Sequence, residues 1–175
     1  KKPQHIPFAI GLLDSEGQPL PLNMGAEDSN GPAERVLELT ETQHSFEFHG
    51  LKERPVPSLL RDFSAPVRVH YPWTREQLLF LMSHDPDGFN RWDAGQKLAV
   101  DVIQSLVDAP QGTEIEPRLV EAYRLLLNDT ELDQALVAKM LLLPSEAYLI
   151  ELSEQADVPA IHDAREQVLT HLAQA

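Results

Sequence analysis

The side chains best suited to chemistry are seven histidines and the carboxylates that lie near them in the sequence. Many zinc hydrolases carry His-Glu-x-x-His on a helix, because two imidazoles one turn apart bind the metal while the glutamate polarises water. The seven histidines here are followed by Ile, Ser, Gly, Tyr, Asp, Asp and Leu, so none precedes a glutamate. This zinc motif is therefore absent from the sequence.

Two pairs of side chains each provide two of the ligands that a metal site would need. Glu47 and His49 share one face of a predicted strand, and His162 and Glu166 share one face of a predicted helix at positions i and i+4. Neither pair supplies the third protein ligand of a catalytic zinc site or the four ligands of a structural one. We interpret both pairs as solvated polar surface.

Other catalytic arrangements are missing as well. No serine has a glycine two positions before it, no glycine directly precedes a lysine, and no two glycines are two positions apart. These spacings exclude a nucleophile elbow, a P-loop and a dinucleotide-binding fingerprint. The absence of cysteine excludes thiolate nucleophiles and zinc ribbons. We predict no catalytic, cofactor-binding or metal-binding residue in this chain.

Two tryptophans and two acidic clusters have a structural interpretation and a binding one. Trp73 and Trp92 could be ligand platforms, but a strand-to-helix junction and an amphipathic helix both need bulky apolar side chains there. The clusters at residues 114–116 and 129–131 lack the spaced oxygens and the glycine of an EF-hand. We interpret the tryptophans as core residues and the carboxylates as helix-start residues.

The composition is that of an ordinary globular protein with an acidic surface. The chain has 175 residues, of which 42% are hydrophobic and 24% charged, and its formal net charge is −14. The electrostatic field of this negative charge repels phosphate backbones and anionic lipids. No apolar stretch approaches the ~20 residues of a membrane span, and residues 1–3 do not lead into a signal-peptide core. We predict a soluble, cytoplasmic protein with no nucleic-acid or membrane partner.

Residues 1–72 predict a small antiparallel β-sandwich. Apolar side chains recur at every second position from Ile6 to Leu12, and residues 14–17 have the chemistry of a hairpin turn. Phe46 and Phe48 are expected to face inward from another strand. Further strands are predicted at 20–22, 35–40, 43–49 and 67–71.

Residues 73–175 predict an all-α segment of helical hairpins. Thr74 and Gln77 have the spacing of a capping box, which marks a helix start. Further helices are predicted at 89–107, from 117 onward, and at 132–143, 145–155 and 159–173. The loops between them are short enough to make neighbouring helices antiparallel. The segment is solenoid-like, although no fixed sequence period identifies a known repeat.

Four segments carry a resemblance to a known family. They read HIPFAIGLLD at 5–14, PVPSLLRDFSAPV at 55–67, LFLMSHD at 79–85 and FNRWDA at 89–94. These segments resemble bacterial aminopeptidase N, a zinc metallo-aminopeptidase of the gluzincin family. The likeness spans most of the chain.

The resemblance implies a position within a longer parent enzyme. In that family a catalytic domain is followed by a β-sandwich and then by a helical domain that covers the active site. This chain resembles the sandwich and the opening helices of the cap. The family's zinc ligands, catalytic glutamate and Gly-x-Met-Glu-Asn strand have no counterpart here, since Met24, Met82 and Met140 are followed by Gly, Ser and Leu. No functional residue carries over.

The predicted function is that of a non-catalytic spacer and cap in a zinc-dependent enzyme that removes N-terminal amino acids from peptides. Zinc belongs to the parent, whose catalytic domain and peptide substrates are the expected partners. A free-standing protein-interaction module is the alternative, because helical hairpins fused to a sandwich offer a surface for a protein. An independent hydrolase with an unrecognised site is a third reading, which the missing motifs disfavour.

Overall fold

The computed structural model describes residues 4–25, 30–110, 114–130 and 132–174, and these contain a β-region followed by helices. The predicted order of the two kinds of structure is confirmed. The strands are β1 (Ile6–Leu13), β2 (Glu34–Leu39) and β3 (Val56–Leu59), followed by a 3-10 turn at Arg61–Phe63. The helices are α1 (Arg75–His84), α2 (Gly88–Asp108), α3 (Pro117–Asn128), α4 (Gln134–Met140), α5 (Glu146–Glu151) and α6 (Val158–Gln174).

The sheet is antiparallel, with β1 between β2 and β3. Phe8 lies opposite Leu37 on β2, and Gly11 lies opposite Ser58 on β3. The last five residues of β1 are buried, as expected for a central strand covered on both faces. One face packs into a cluster whose buried members are Ile10, Leu12, Leu22 and Leu37, with Phe8, Leu20, Leu39, Phe46, Phe48, Leu51 and Leu59 packed against it.

Three predicted strands do not join this sheet. Residues 20–22 form no strand. Residues 43–48 form no strand, although Phe46 and Phe48 pack inward as predicted, and His49 forms an isolated bridge with Asn23. Residues 67–71 also form no strand. Alternating side chains predict which face is buried, whereas a strand also needs a neighbouring backbone to bond with.

The helix starts follow the predicted capping chemistry. At α1 the Gln77 amide donates to Thr74 Oγ1 at 3.2 Å, and the Thr74 amide donates to Gln77 Oε1 at 3.1 Å, which completes the predicted capping box. Pro117 occupies the first turn of α3, as predicted. Helices α4 and α5 are shorter than predicted, and α4 ends before Leu143, which the following proline disfavours in helical conformation.

The contacts divide the chain into two compact units, Lys1–Arg91 and Trp92–Ala175. The first unit contains the sheet, α1 and the first turn of α2. The predicted domain boundary between residues 72 and 73 stays a prediction, because compact units are groups of residues in contact and need not coincide with domains. Buried apolar side chains of the second unit include Leu98, Ile103, Leu106, Leu119, Leu126, Leu149, Ile161 and Val168. Among the described residues, no helix combines the length and the apolar composition that crossing a membrane requires.

Candidate functional site

The first pair of candidate metal ligands, Glu47 and His49, lies on the surface of the β-region. Both side chains are exposed, and the His49 backbone amide donates to the Asn23 carbonyl at 2.9 Å. Within the part of the chain that the structure describes, no group of three or more His, Cys, Asp or Glu side chains is placed to hold a metal ion. The prediction that the chain holds no metal ligands stays a prediction.

The second candidate, His162 on α6, has a different partner from the predicted Glu166. Its Nδ1 lies 2.8 Å from Oε1 of Glu146 on α5. The hydrogen bond with Glu146 raises the pKa of His162, and the charges of Glu146, Glu166 and Asp163 act in the same direction. The His162 side chain is 54% exposed, so this contact is a surface link between two helices.

The Glu146→Gln substitution should lower the pKa of His162, because it removes the largest cause of the increase. A group whose pKa is raised in the folded state adds stability below its unfolded pKa and loses it as pH rises through the folded pKa. NMR titration of the His162 ring measures the pKa directly. Glu154→Gln, at an exposed position that is not among the charges acting on His162, is the matched control and should leave that pKa unchanged.

The two tryptophans are half-buried. The Trp73 ring lies 4.3 Å from the Tyr71 ring, measured between centroids, and its buried Nε1 has no hydrogen-bond partner. Trp92 begins the second unit within α2. Partial burial against neighbouring elements fits the packing role that the sequence predicted for both.

The acidic clusters lie at opposite ends of α3, so the predicted position at a helix start holds for Glu116 but not for Asp129, which is the C-cap residue. Glu116 is the N-cap residue of α3, and its carboxylate pairs with Arg118. Asp129 accepts from the Leu132 amide at 3.2 Å through Oδ1. The α4 N-cap is Asp133, which the sequence analysis did not single out. Glu131 lies outside the described residues.

The polar arrangement that the sequence analysis missed is buried beside the sheet in the first unit. We call it the Arg61 cluster, and it consists of Glu34, Ser58, Arg61, Asp85 and Asn90. All but Glu34 are buried, and Ser58 has no exposed surface. Buried charged side chains are rare unless they are paired, so this cluster is the most distinctive local chemistry in the described chain.

The Arg61 guanidinium is the centre of the cluster. Its Nε donates to Ser58 Oγ at 2.8 Å, and its Nη1 lies 3.4 Å from Glu34 Oε2. Its Nη2 lies 3.6 Å from Asp85 Oδ1. Asn90 adds a hydrogen bond from Nδ2 to Ser58 Oγ at 2.9 Å. The cluster thus joins the sheet to the segment between α1 and α2.

Gly11 on β1 makes room for this guanidinium. A Cβ at Gly11 would lie 2.3 Å from Arg61 Cζ and 2.6 Å from its Nη2, closer than real Cβ atoms approach other atoms. A glycine in the middle of a strand weakens the strand and often marks a close approach of another group. Here the approaching group is the buried arginine.

The backbone around Arg61 adopts an unusual conformation. Leu60, Asp62 and Phe63 have φ values of 59°, 52° and 51°, in the left-handed region that favours glycine. Each such residue costs about 1–2 kcal/mol for an L side chain, with aspartate more tolerant than leucine or phenylalanine. The contacts around this turn must therefore offset a local conformational cost.

The Asp85 carboxylate is the acidic counterpart in the cluster. Burial raises its pKa above the ordinary value of 3.8, while hydrogen bonds from Ser58 and from the Asp87 amide, and the charge of Arg61, act in the opposite direction. Ser58 is therefore a serine next to a carboxylate. Because its side chain is inaccessible, the pair has no route to a substrate, and we interpret the cluster as structural.

The Asp85→Asn substitution should change how stability depends on pH. A carboxyl whose pKa is raised on folding binds more protons in the folded state, so its contribution to stability falls as pH rises from 3.8 through the folded pKa. The unfolding free energy of the native chain minus that of the variant should fall over this window and level off above it. Urea denaturation of both proteins across a pH series measures this difference. A difference that is constant with pH would contradict the assignment.

Two family models together match most of the chain. A family model named DUF3458, a domain of unknown function with an Ig-like fold, matches residues 1–72. A second, DUF3458_C, a domain of unknown function with ARM repeats, matches residues 75–175. The chain belongs to the DUF3458_C family, and its first 72 residues match the DUF3458 model. The predicted fold class, a β-sandwich followed by solenoid-like helices, is confirmed.

Curated relatives identify the kind of protein in which these DUF3458 domains occur. The chain is 40% identical over 176 residues to "Aminopeptidase N" of Escherichia coli K12, and the match covers 99% of this chain and 20% of that protein. It is 37% identical to the Haemophilus influenzae protein of the same name, with 98% and 20% covered. For the Caulobacter vibrioides protein the identity is 36%, with 94% and 18% covered.

A solved structure shows the same relationship. A crystal structure of Legionella pneumophila aminopeptidase A in complex with aspartic acid superposes with a TM-score of 0.80 at 30% identity, covering 98% of this chain and 19% of that one. The predicted resemblance to bacterial aminopeptidase N is therefore confirmed. This DUF3458_C chain spans about one fifth of the length of the relatives that it matches.

Proposed function

We propose that this chain is a non-catalytic spacer and cap segment of a zinc-dependent aminopeptidase that removes N-terminal amino acids from peptides. One observation carries the proposal. Nearly the whole chain matches a single segment of aminopeptidase N at 36–40% identity, and that segment is about one fifth of the relatives' length.

The residues of this chain support a role in which the chain itself catalyses no reaction. The sequence contains no His-Glu-x-x-His motif, so zinc has no fitting set of ligands here, and any zinc would be held by the rest of the parent. Ser58 and Asp85, which are the most distinctive polar pair, are enclosed by protein. We therefore assign catalysis and metal binding to the part of the parent outside this chain.

A spacer and cap acts through shape and rigidity. Enclosing a peptidase site restricts entry to unfolded peptides and keeps bulk water from weakening the electrostatics of the site. The partner of this chain would then be the catalytic domain of the same polypeptide, with peptides as the substrates of the whole enzyme in the cytoplasm. Substitutions in this chain should change stability or peptide access more than the chemical step.

The gene that encodes the chain tests this proposal directly. We expect the open reading frame to extend upstream of Lys1, to contain His-Glu-x-x-His, and to encode a protein roughly five times the length of this chain, since the match covers about 20% of each relative. Sequencing the transcript gives the answer. A reading frame that starts near Lys1 would instead favour a free-standing interaction module.

A further inference from the structure

The side chain of Asp87, between α1 and α2, makes two different contacts at once. Its Oδ1 accepts from the Asn90 amide at 2.7 Å, which caps the first turn of α2. Its Oδ2 accepts from the Asp62 amide at 2.9 Å, which lies in the left-handed turn after β3. One carboxylate therefore bonds both to a helix start and to a strained turn that lies 25 residues earlier in the sequence.

The contacts around Asp87 link the same two segments. Asp85 Oδ1 accepts from the Asp87 amide at 2.9 Å and lies against Arg61. On the other side, the rings of Phe63 and Phe89 lie 5.4 Å apart at a tilted angle. Together with the Asn90–Ser58 bond, polar and aromatic contacts run between residues 58–63 and residues 85–90.

The strain in the turn shows that the surrounding contacts hold it in one conformation. The left-handed conformation of Leu60 and Phe63 costs free energy that an ordinary turn would avoid. That conformation places the Asp62 amide against Asp87 and the Arg61 guanidinium against Asp85. Outliers of this kind persist where the surrounding structure requires one geometry.

We propose that Asp87 is a positioning residue that clamps the first turn of α2 to the left-handed turn at residues 60–63 within the first unit, and so fixes where α2 begins. The clamp belongs to the first unit and stands independently of the proposed function. Its consequence for the parent rests on that function: a loosened α2 start should weaken peptide binding by the enzyme while the chemical step is unchanged.

The Asp87→Asn variant separates the clamp from the helix cap. An asparagine side chain has a single acceptor oxygen, and asparagine caps helices about as well as aspartate. The Asn90 and Asp62 amides bond to different oxygens of Asp87, and in the variant one of these positions holds the Nδ2 donor, which cannot accept. The variant therefore loses one of the two hydrogen bonds. Asp133→Asn is the matched control, because Asp133 caps α4 through Oδ1 alone, which accepts from the Ala135 and Leu136 amides. Both substitutions remove one negative charge from an N-cap.

Hydrogen exchange of this chain measures the effect of the clamp at individual backbone amides. In Asp87→Asn we expect the Asp62 amide and the amides of residues 88–91 to exchange about tenfold faster, the effect of losing one hydrogen bond, while the β1–β2 pairing keeps its protection. Asp133→Asn should leave all these rates unchanged. Unchanged rates in Asp87→Asn, or a uniform increase over the whole unit, would overturn the clamp. If that variant does not fold, Asp87→Ser retains a capping oxygen and serves the same comparison.

Kinetics of the full-length parent provide the second readout. Asp87→Asn should raise KM for peptides several-fold and leave kcat for a short aminoacyl amide unchanged, whereas Asp133→Asn should alter neither. If Asp87→Asn lowered kcat equally for peptides and for the short aminoacyl amide, the positioning role would be overturned. A parent without aminopeptidase activity would refute the proposed function, and the exchange experiment would still decide the clamp.

Discussion

Replacing Arg61 with methionine should lower the free energy of unfolding by about 3–5 kcal/mol, because removing one partner of a buried ion pair leaves the other charge buried without compensation. Methionine fills much of the volume of the aliphatic part of arginine. The loss of stability therefore measures mainly the removal of the guanidinium. Asp85, Ser58 and Glu34 would all lose a contact. Urea denaturation monitored by the two tryptophans measures the change.

Two further variants show whether this loss comes from the ion pair. Arg68→Met removes the same charge from an exposed position and should change stability by no more than about 0.5 kcal/mol. The double variant Arg61→Met, Asp85→Asn should be less destabilised than the sum of the two single variants, because the uncompensated carboxylate is gone. Additive effects, or a loss below about 1 kcal/mol for Arg61→Met, would contradict the account of the cluster.

The Gly11→Ala substitution should lower the free energy of unfolding by about 2–3 kcal/mol, as expected for overpacking a filled interior. The added methyl group would lie 2.3 Å from Arg61 Cζ, so either the guanidinium must leave its partners or β1 must move away from β3. Thermal and urea denaturation both report the loss.

The matched control for this substitution is Gly25→Ala. Among the residues that the structure describes, no heavy atom lies within 4 Å of a Cβ placed at Gly25, so the same chemical change should be neutral or slightly stabilising. The pair separates the steric effect at Gly11 from the general effect of replacing glycine in a loop or strand. Equal stability of the two variants would show that Arg61 is not held against β1.

The elements that were predicted correctly depend on local signals. Thr74 and Gln77 are three residues apart, and their reciprocal hydrogen bonds follow from that spacing. The alternation along β1 and the inward packing of Phe46 and Phe48 follow from the period of an extended chain. The resemblance to aminopeptidase N likewise came from short runs of adjacent residues.

The Arg61 cluster could not be predicted in the same way because its members come from distant segments. Asp85 is 24 residues from Arg61 in the sequence, and Glu34 is 27 residues from it. A signal was present in residues 57–63, where Arg61 and Asp62 interrupt an apolar run, since a charge in such a run needs a partner. His162 illustrates the same limit, because its partner Glu146 lies on another helix and not at the i+4 position.

The contacts of the first unit bear on the rigidity that the proposed spacer role requires. The unit contains α1 and the start of α2 in addition to the sheet. The capping box of α1, the Arg61 cluster and the Asp87 clamp are all located in it. The proposed spacer role requires internal rigidity, because a flexible segment could not hold an enclosing domain in place.

The measurement that tests the central claim most directly is hydrolysis of alanyl and leucyl chromogenic amides by this purified chain with added zinc, beside the full-length parent. We expect turnover by the parent, loss of that turnover when zinc is chelated, and no turnover by this chain. Zinc-dependent turnover by this chain that survives rigorous purification would contradict a non-catalytic spacer and cap, and would locate an active site within these 175 residues.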